Sequence, residues 1–150
     1  MSSKHILGNF EKALEELRTD VLTMASTAEQ NLNDAVAGLL NRKPDLCSDA
    51  IANDEEVDQL ELRIDHEGMR VLSLFQPVAR DLRSVVSTMR MATNLERVSD
   101  EAGNISRRAR KMLKNPELPE TQLIEPLHQL ASKLLRDSIR SFADGNVDLA

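Results

Sequence analysis

The sequence predicts an all-α fold, an antiparallel bundle of a few long helices. Aromatic residues make up 2% of the chain, with no Trp and no Tyr, and strands draw heavily on aromatic side chains. Five Gly and five Pro in 150 residues leave few turns, so the segments between them are long. Apolar residues then recur at steps of three and four, the period of a helix face.

The first stripe runs Phe10, Leu14, Leu17, Val21, Met24, Ala28, Leu32, Ala35, Leu39, a seam facing partner helices. It should end near Asn41, because Pro44 cannot continue a helix and biases Lys43 away from it. The second runs Leu46, Ala50, Val57, Leu60, Ile64, Val71, Leu74, closed by Phe75-Gln76-Pro77. The third opens between Val78 and Asp81 and passes through Leu82, Val85, Met89, Leu95, Val98, Ala102, Ile105, Ala109 and Met112 before Asn115-Pro116. The fourth runs Ile124, Leu127, Ala131, Leu134, Leu135, Ile139, Phe142, with Gly145-Asn146 as its C-cap. Short Pro-containing links imply antiparallel neighbours. Met24, Met69, Met89, Met91 and Met112 read as core filler.

Helix 4 aligns with helix 1 without a gap. Met24 meets Leu127, Ala28 meets Ala131, Leu32 meets Leu135, Asp34-Ala35-Val36 meets Asp137-Ser138-Ile139, and Asp45-Leu46 meets Asp148-Leu149. Such a repeat makes helix 4 the first helix of a second bundle.

Net charge is −6, which excludes an overall basic reader of nucleic-acid backbones. Arg107, Arg108, Arg110 and Lys111 fall near a helix C-terminus, where cations complement the helix dipole. Cys47 is the sole cysteine; it rules out an intrachain disulfide and reads as a small buried apolar residue. No apolar run approaches the roughly 20 residues that cross a bilayer, and Met1 to Gly8 has no signal-peptide apolar region. His5, His66 and His128 are scattered, no glycine-rich phosphate loop exists, and no nucleophilic grouping is visible.

Two acidic stripes carry the candidate chemistry. Helix 2 holds Asp54, Asp58, Glu61 and Asp65, one face at spacings of four, three and four, about a quarter turn from the apolar seam. Helix 3 holds Glu96 and Asp100, with Asn104 one step on. Neighbours of like charge at i, i+4 cost about 0.2–0.5 kcal/mol each. Between the second stripe and its seam lie Ser99 and Gly103, small residues that would let a neighbouring helix come close. Converging carboxylates suit Mg, Mn, Fe or Zn in an oxygen-rich site. The arrangement resembles carboxylate-bridged bundles but lacks their Glu-x-x-His element. Solvated acidic faces with no metal remain the simpler alternative.

The segment Asn94-Leu95-Glu96-Arg97-Val98-Ser99-Asp100-Glu101-Ala102-Gly103-Asn104-Ile105 and its lead-in Gln76-Pro77-Val78-Ala79-Arg80-Asp81-Leu82-Arg83 resemble a signature of the PhoU family. So do Asp54-Glu55-Glu56-Val57-Asp58-Gln59-Leu60-Glu61 and Ile64-Asp65. The resemblance implies two tandem three-helix bundles with acid-x-x-x-Asp motifs that bind metal in some members. Carried over, the ligands are Asp54 with Asp58 and Glu96 with Asp100, holding a divalent or trivalent cation (Fe, Zn, Mn or Mg). Residues 1–115 become the first bundle and 116–150 the first helix of an incomplete second, since the second copies of Asp54 and Asp58 would fall beyond Ala150. The resemblance further implies a non-enzymatic, cytoplasmic negative regulator of phosphate uptake and phosphate-starvation signalling. It would link a phosphate-transporter ATPase (PstB-like) to a membrane sensor kinase (PhoR-like), reach the membrane only through those partners and bind no nucleic acid. The unpartnered face of helix 4 adds the expectation of a homodimer. The alternatives are a carboxylate-bridged metalloenzyme and a purely structural oligomerisation module.

Overall fold

The computed structural model describes residues 2–145, with side chains from Gly8 onward. Four helices form: α1 (Ser2–Leu40), α2 (Pro44–Phe75), α3 (Ala79–Met112) and α4 (Ile124–Asp144), the last preceded by a 3-10 turn at Pro119–Leu123. Boundaries follow the signals in the chain. Lys43 is extended and Pro44 takes the first helical turn, where its missing N–H is no loss. Gln76 closes α2 in the left-handed region at φ 46, and Gly145 does the same for α4 at φ 64. Asn146 and the Asp148-Leu149 match of the repeat lie outside the described residues.

Helices α1, α2 and α3 pack mutually into one bundle. Its main core joins Leu17, Val21 and Met24 to Val57, Ile64 and Val71 and to Val85, Ala92 and Leu95. At one end the layers are thinner. Ala35, Ala50 and Ala102 make one; Leu39, Cys47 and Ala109 make the next. Gly38 allows this narrowing, since a Cβ there would stand 2.5 Å from Cys47 Sγ. Cys47 is fully buried, and burial raises its thiol pKa against the opposing pull of Arg110, which keeps it an inert apolar packer.

Some expected core positions face water. Leu74 and Leu82 are exposed; each occupies a terminal turn of its helix. Met69 and Met112 are exposed too, so only Met24, Met89 and Met91 join the core.

Helix α4 lies along α1, and its backbone approaches neither α2 nor α3 among the described residues. Its broad apolar face is divided. Leu135, Ile139 and Phe142 pack against the main core. Leu127, Leu130 and Leu134 remain exposed, as does Leu123 at the end of the preceding 3-10 turn. The guanidinium of Arg18 donates to the carbonyls of Phe142 and Ala143 at the α4 C-terminus and lies over the Phe142 ring. Arg136 pairs with Glu29 at 3.1 Å.

Candidate metal centre

The two acidic stripes meet where α2 and α3 pack side by side. Asp58 has its carboxyl pKa raised, first by burial and then by Asp54, Glu55, Asp100 and Glu61. Glu96 is raised likewise, by burial and then by Glu61, Asp100, Asp58 and Asp54. Each group therefore feels carboxylates on the opposite helix as well as its own, which is the juxtaposition the spacing predicts. Asp65 is exposed and does not figure among the charges acting on either group.

The four expected ligands differ in setting. Asp58 and Asp100 are exposed, Glu96 is half-buried and Asp54 is buried. Asp54 accepts a 2.8 Å hydrogen bond at Oδ1 from Ser99 Oγ. Ser99 in turn accepts one at 2.9 Å from Asn31 Nδ2 of α1. Gly103 provides the room: a Cβ there would sit 3.3 Å from Asp54 Oδ2 and 3.3 Å from Arg107 Nη1. Arg107 reaches back along α3, donating to Asn104 Oδ1 at 3.2 Å and standing 3.9 Å from Asp54 Oδ2. Thr93 donates to Glu61 at 3.1 Å, linking the helices beside Glu96.

These residues test whether a cation fits. The donors are oxygen only, with no His or Cys, which matches hard cations of the Mg and Mn type better than a structural zinc. Among the described residues, no Lys, Arg or His pairs with Asp58, Glu96 or Asp100. Nor, among the described residues, are three His, Cys, Asp or Glu side chains drawn into one metal-holding group. Like charges without a counter-ion repel, and a cation would relieve the repulsion that adds to burial in raising Asp58 and Glu96.

Sequence reasoning missed two participants. Asn31 stands three residues after Ala28 and four before Ala35, on the apolar face of α1; a polar residue at that position was the available signal. Arg107 reads as a dipole complement, yet at seven residues past Asp100, two turns on, it borders the acidic face of α3 and reaches Asp54. Two histidines stay apart from the site: His66 pairs with Glu67, and His128 approaches Ser132; the His5 side chain lies outside the described residues.

Residues 21–109 match the family model of the PhoU domain. The chain is 35% identical over 147 residues to the phosphate-specific transport system accessory protein PhoU homolog of Pseudomonas putida, covering 97% of this chain and 57% of that protein. It is 34% identical over 148 residues to the accessory protein PhoU of Escherichia coli (strain K12), covering 99% and 61%. The fold is similar to the crystal structure of PhoU from Pseudomonas aeruginosa, with a TM-score of 0.91 and 31% identity over 93% of this chain and 68% of that one. The chain thus spans about three fifths of the length of the curated relatives it matches. Those relatives are named as accessory proteins of a transport system, not as enzymes.

Proposed function

The chain belongs to the PhoU family, and on that premise we propose that it is a non-enzymatic regulator of phosphate transport that binds a metal cation on the joined acidic faces of α2 and α3. Asp58, Glu96 and Asp100 supply the outer ligands and Asp54 the inner one. The observation that supports the cation is that α2 and α3 bring Asp58, Glu61, Glu96 and Asp100 into one acidic face where, among the described residues, no Lys, Arg or His pairs with Asp58, Glu96 or Asp100. The bound ion is a docking or structural element. It turns a repelling acidic face into one that can receive a carboxylate or phosphate group of a partner.

Names of the relatives support a place in the phosphate-specific transport system. The partners in this reading are the transporter ATPase and a sensor histidine kinase, met at the cytoplasmic side of the membrane, with negative regulation as the outcome. No helix among the described residues is long and apolar enough to cross a membrane; in this reading contact with the membrane runs through those partners. Residues 116–150 serve as the first helix of a second repeat, and the exposed leucines of α4 pair two copies.

Purified transporter ATPase and sensor-kinase cytoplasmic domain, each immobilised, test this reading. The unaltered chain should be retained in Mn2+ buffer and released by chelator, and Asp58→Asn/Glu96→Gln should not be retained. Equal retention of both proteins with and without chelator would remove the cation from the account; no retention of either would remove the adaptor role.

A further inference from the structure

One end of the bundle has a charge opposite to that of the chain. The net charge is −6, yet between Asp34 and Asp45, and again between Glu101 and Glu117, no Asp or Glu occurs. These two stretches meet in space. Arg42, in the α1–α2 link, donates to the carbonyls of Leu113 at 2.9 Å and Asn115 at 2.7 Å, just past α3. Arg42 and Lys43 thus share one end of the bundle with Arg107, Arg108, Arg110, Lys111 and Lys114, and all of them are exposed. Arg107, Arg110, Lys111 and Lys114 recur at helical spacing and line one shallow cleft of about 250 Å³. The helix dipole accounts for Arg110 and Lys111, in the last turn, and fades beyond that turn. The row as a whole repels itself, since like charges three and four residues apart oppose the helix. Among the described residues, Arg107 alone of these cations pairs with a carboxylate, Asp54 at 3.9 Å. Asp45 and Glu117, the nearest acids in sequence, pair with none of them.

An unanswered basic surface calls for an anionic partner, and the apolar side chains at the same end narrow its kind. Met112 and Leu118 are exposed, and both line a depression of about 340 Å³ with Arg42 and Pro116. Cations around exposed apolar groups match the boundary of a lipid bilayer. There, headgroup phosphates take guanidinium and ammonium groups, and apolar side chains enter the layer beneath. Single-stranded nucleic acid would instead call for aromatic platforms, and no Phe, Tyr or Trp lies between Phe75 and Phe142. We propose that this end of the bundle docks directly on an anionic membrane surface, with Arg110, Lys111 and Lys114 against headgroup phosphates and Met112 and Leu118 at the apolar boundary. The contact is separate from the partner-borne one proposed above and does not depend on the cation reading of α2 and α3. Its strength follows the number of cations, since each adds about fivefold in affinity near an anionic surface.

Co-sedimentation of the full chain with lipid vesicles tests this, in chelator so that no divalent ion bridges acidic groups to lipid. Each variant is first shown to keep the helical content and melting of the unaltered chain. The chain should sediment with phosphatidylglycerol vesicles and not with phosphatidylcholine vesicles, and added NaCl should release it. Arg110→Gln/Lys111→Gln/Lys114→Gln should bind about a hundredfold more weakly. Arg80→Gln/Arg83→Gln/Arg90→Gln removes the same charge from exposed positions upstream on α3 and should bind as the unaltered chain does. Leu118→Gln should bind several-fold more weakly. No sedimentation with phosphatidylglycerol vesicles, or an equal loss in the two triple variants, would overturn the proposal. Release by sodium phosphate well below the NaCl of equal ionic strength would make this a site for free oxyanions and overturn the lipid assignment. Undiminished binding of Leu118→Gln would overturn the apolar half of the contact.

Discussion

Asp58 and Glu96 show how a residue can weaken the fold that carries it. Both have pKa values raised in the folded chain, by burial first and by neighbouring carboxylates second. A raised pKa means the folded state holds the proton more tightly than the unfolded one. The associated stability is therefore fully present below the ordinary carboxylate range and is lost as pH rises through the raised folded values. At neutral pH these two groups oppose folding. Asp58→Asn/Glu96→Gln should therefore melt higher than the unaltered chain at pH 7, by about 1–3 °C at repulsions of about 0.2–0.5 kcal/mol per pair. The gain should vanish when both are melted near pH 3.5. A lower melting temperature for the double variant at pH 7 in metal-free buffer would mean that the carboxylates are satisfied by something other than a cation. Asp54 stands apart from these two, because Ser99 and Arg107 already answer its charge.

The sequence reads helix α4 as the first helix of a second bundle, with an unpartnered face expected to pair two copies. Its wide apolar face is split between the first bundle and solvent. The Leu135, Ile139 and Phe142 side meets the core, and Arg18 fixes the C-terminal end. The Leu123, Leu127, Leu130 and Leu134 side, at heptad spacing, is left to water, and it is the face proposed above to pair two copies. Leu127→Glu/Leu134→Glu should then convert a concentration-dependent dimer to a monomer in sedimentation equilibrium without lowering the melting temperature of the bundle. A monomer at all concentrations in the unaltered chain would rule out this face as the dimer contact. The other elements were legible because Pro44, Pro77 and Pro116 stop helices by backbone chemistry that no tertiary contact overrides. Exposure of Leu74 and Leu82 was not legible, because periodicity marks a face and says nothing about how far a neighbouring helix extends along it. The 3-10 turn at Pro119–Leu123 was equally hidden, being shorter than any periodic signal.

For the whole molecule, the acidic residues were readable from spacing, and their convergence followed once α2 and α3 were neighbours. What spacing could not separate is which carboxylates the bundle already satisfies. That depends on Asn31, far away in sequence, and on Arg107, whose reach toward Asp54 follows from the side chain missing at Gly103. The account's central claim is that the acidic face of α2 and α3, with Asp58, Glu96 and Asp100 outermost and Asp54 inside, is the seat of one cation. Ligand that binds only the folded state stabilises it by mass action, about 2.7 kcal/mol at a hundredfold excess over the dissociation constant. The most direct measurement is therefore the melting temperature of the metal-stripped chain against Mn2+ concentration, beside Asp58→Asn/Glu96→Gln. The account predicts a rise that grows with the logarithm of Mn2+ concentration, reaching about 5–10 °C at a hundredfold excess over the dissociation constant in the unaltered chain, and a flat response in the variant. A flat response in both, or an equal rise in both, would contradict it.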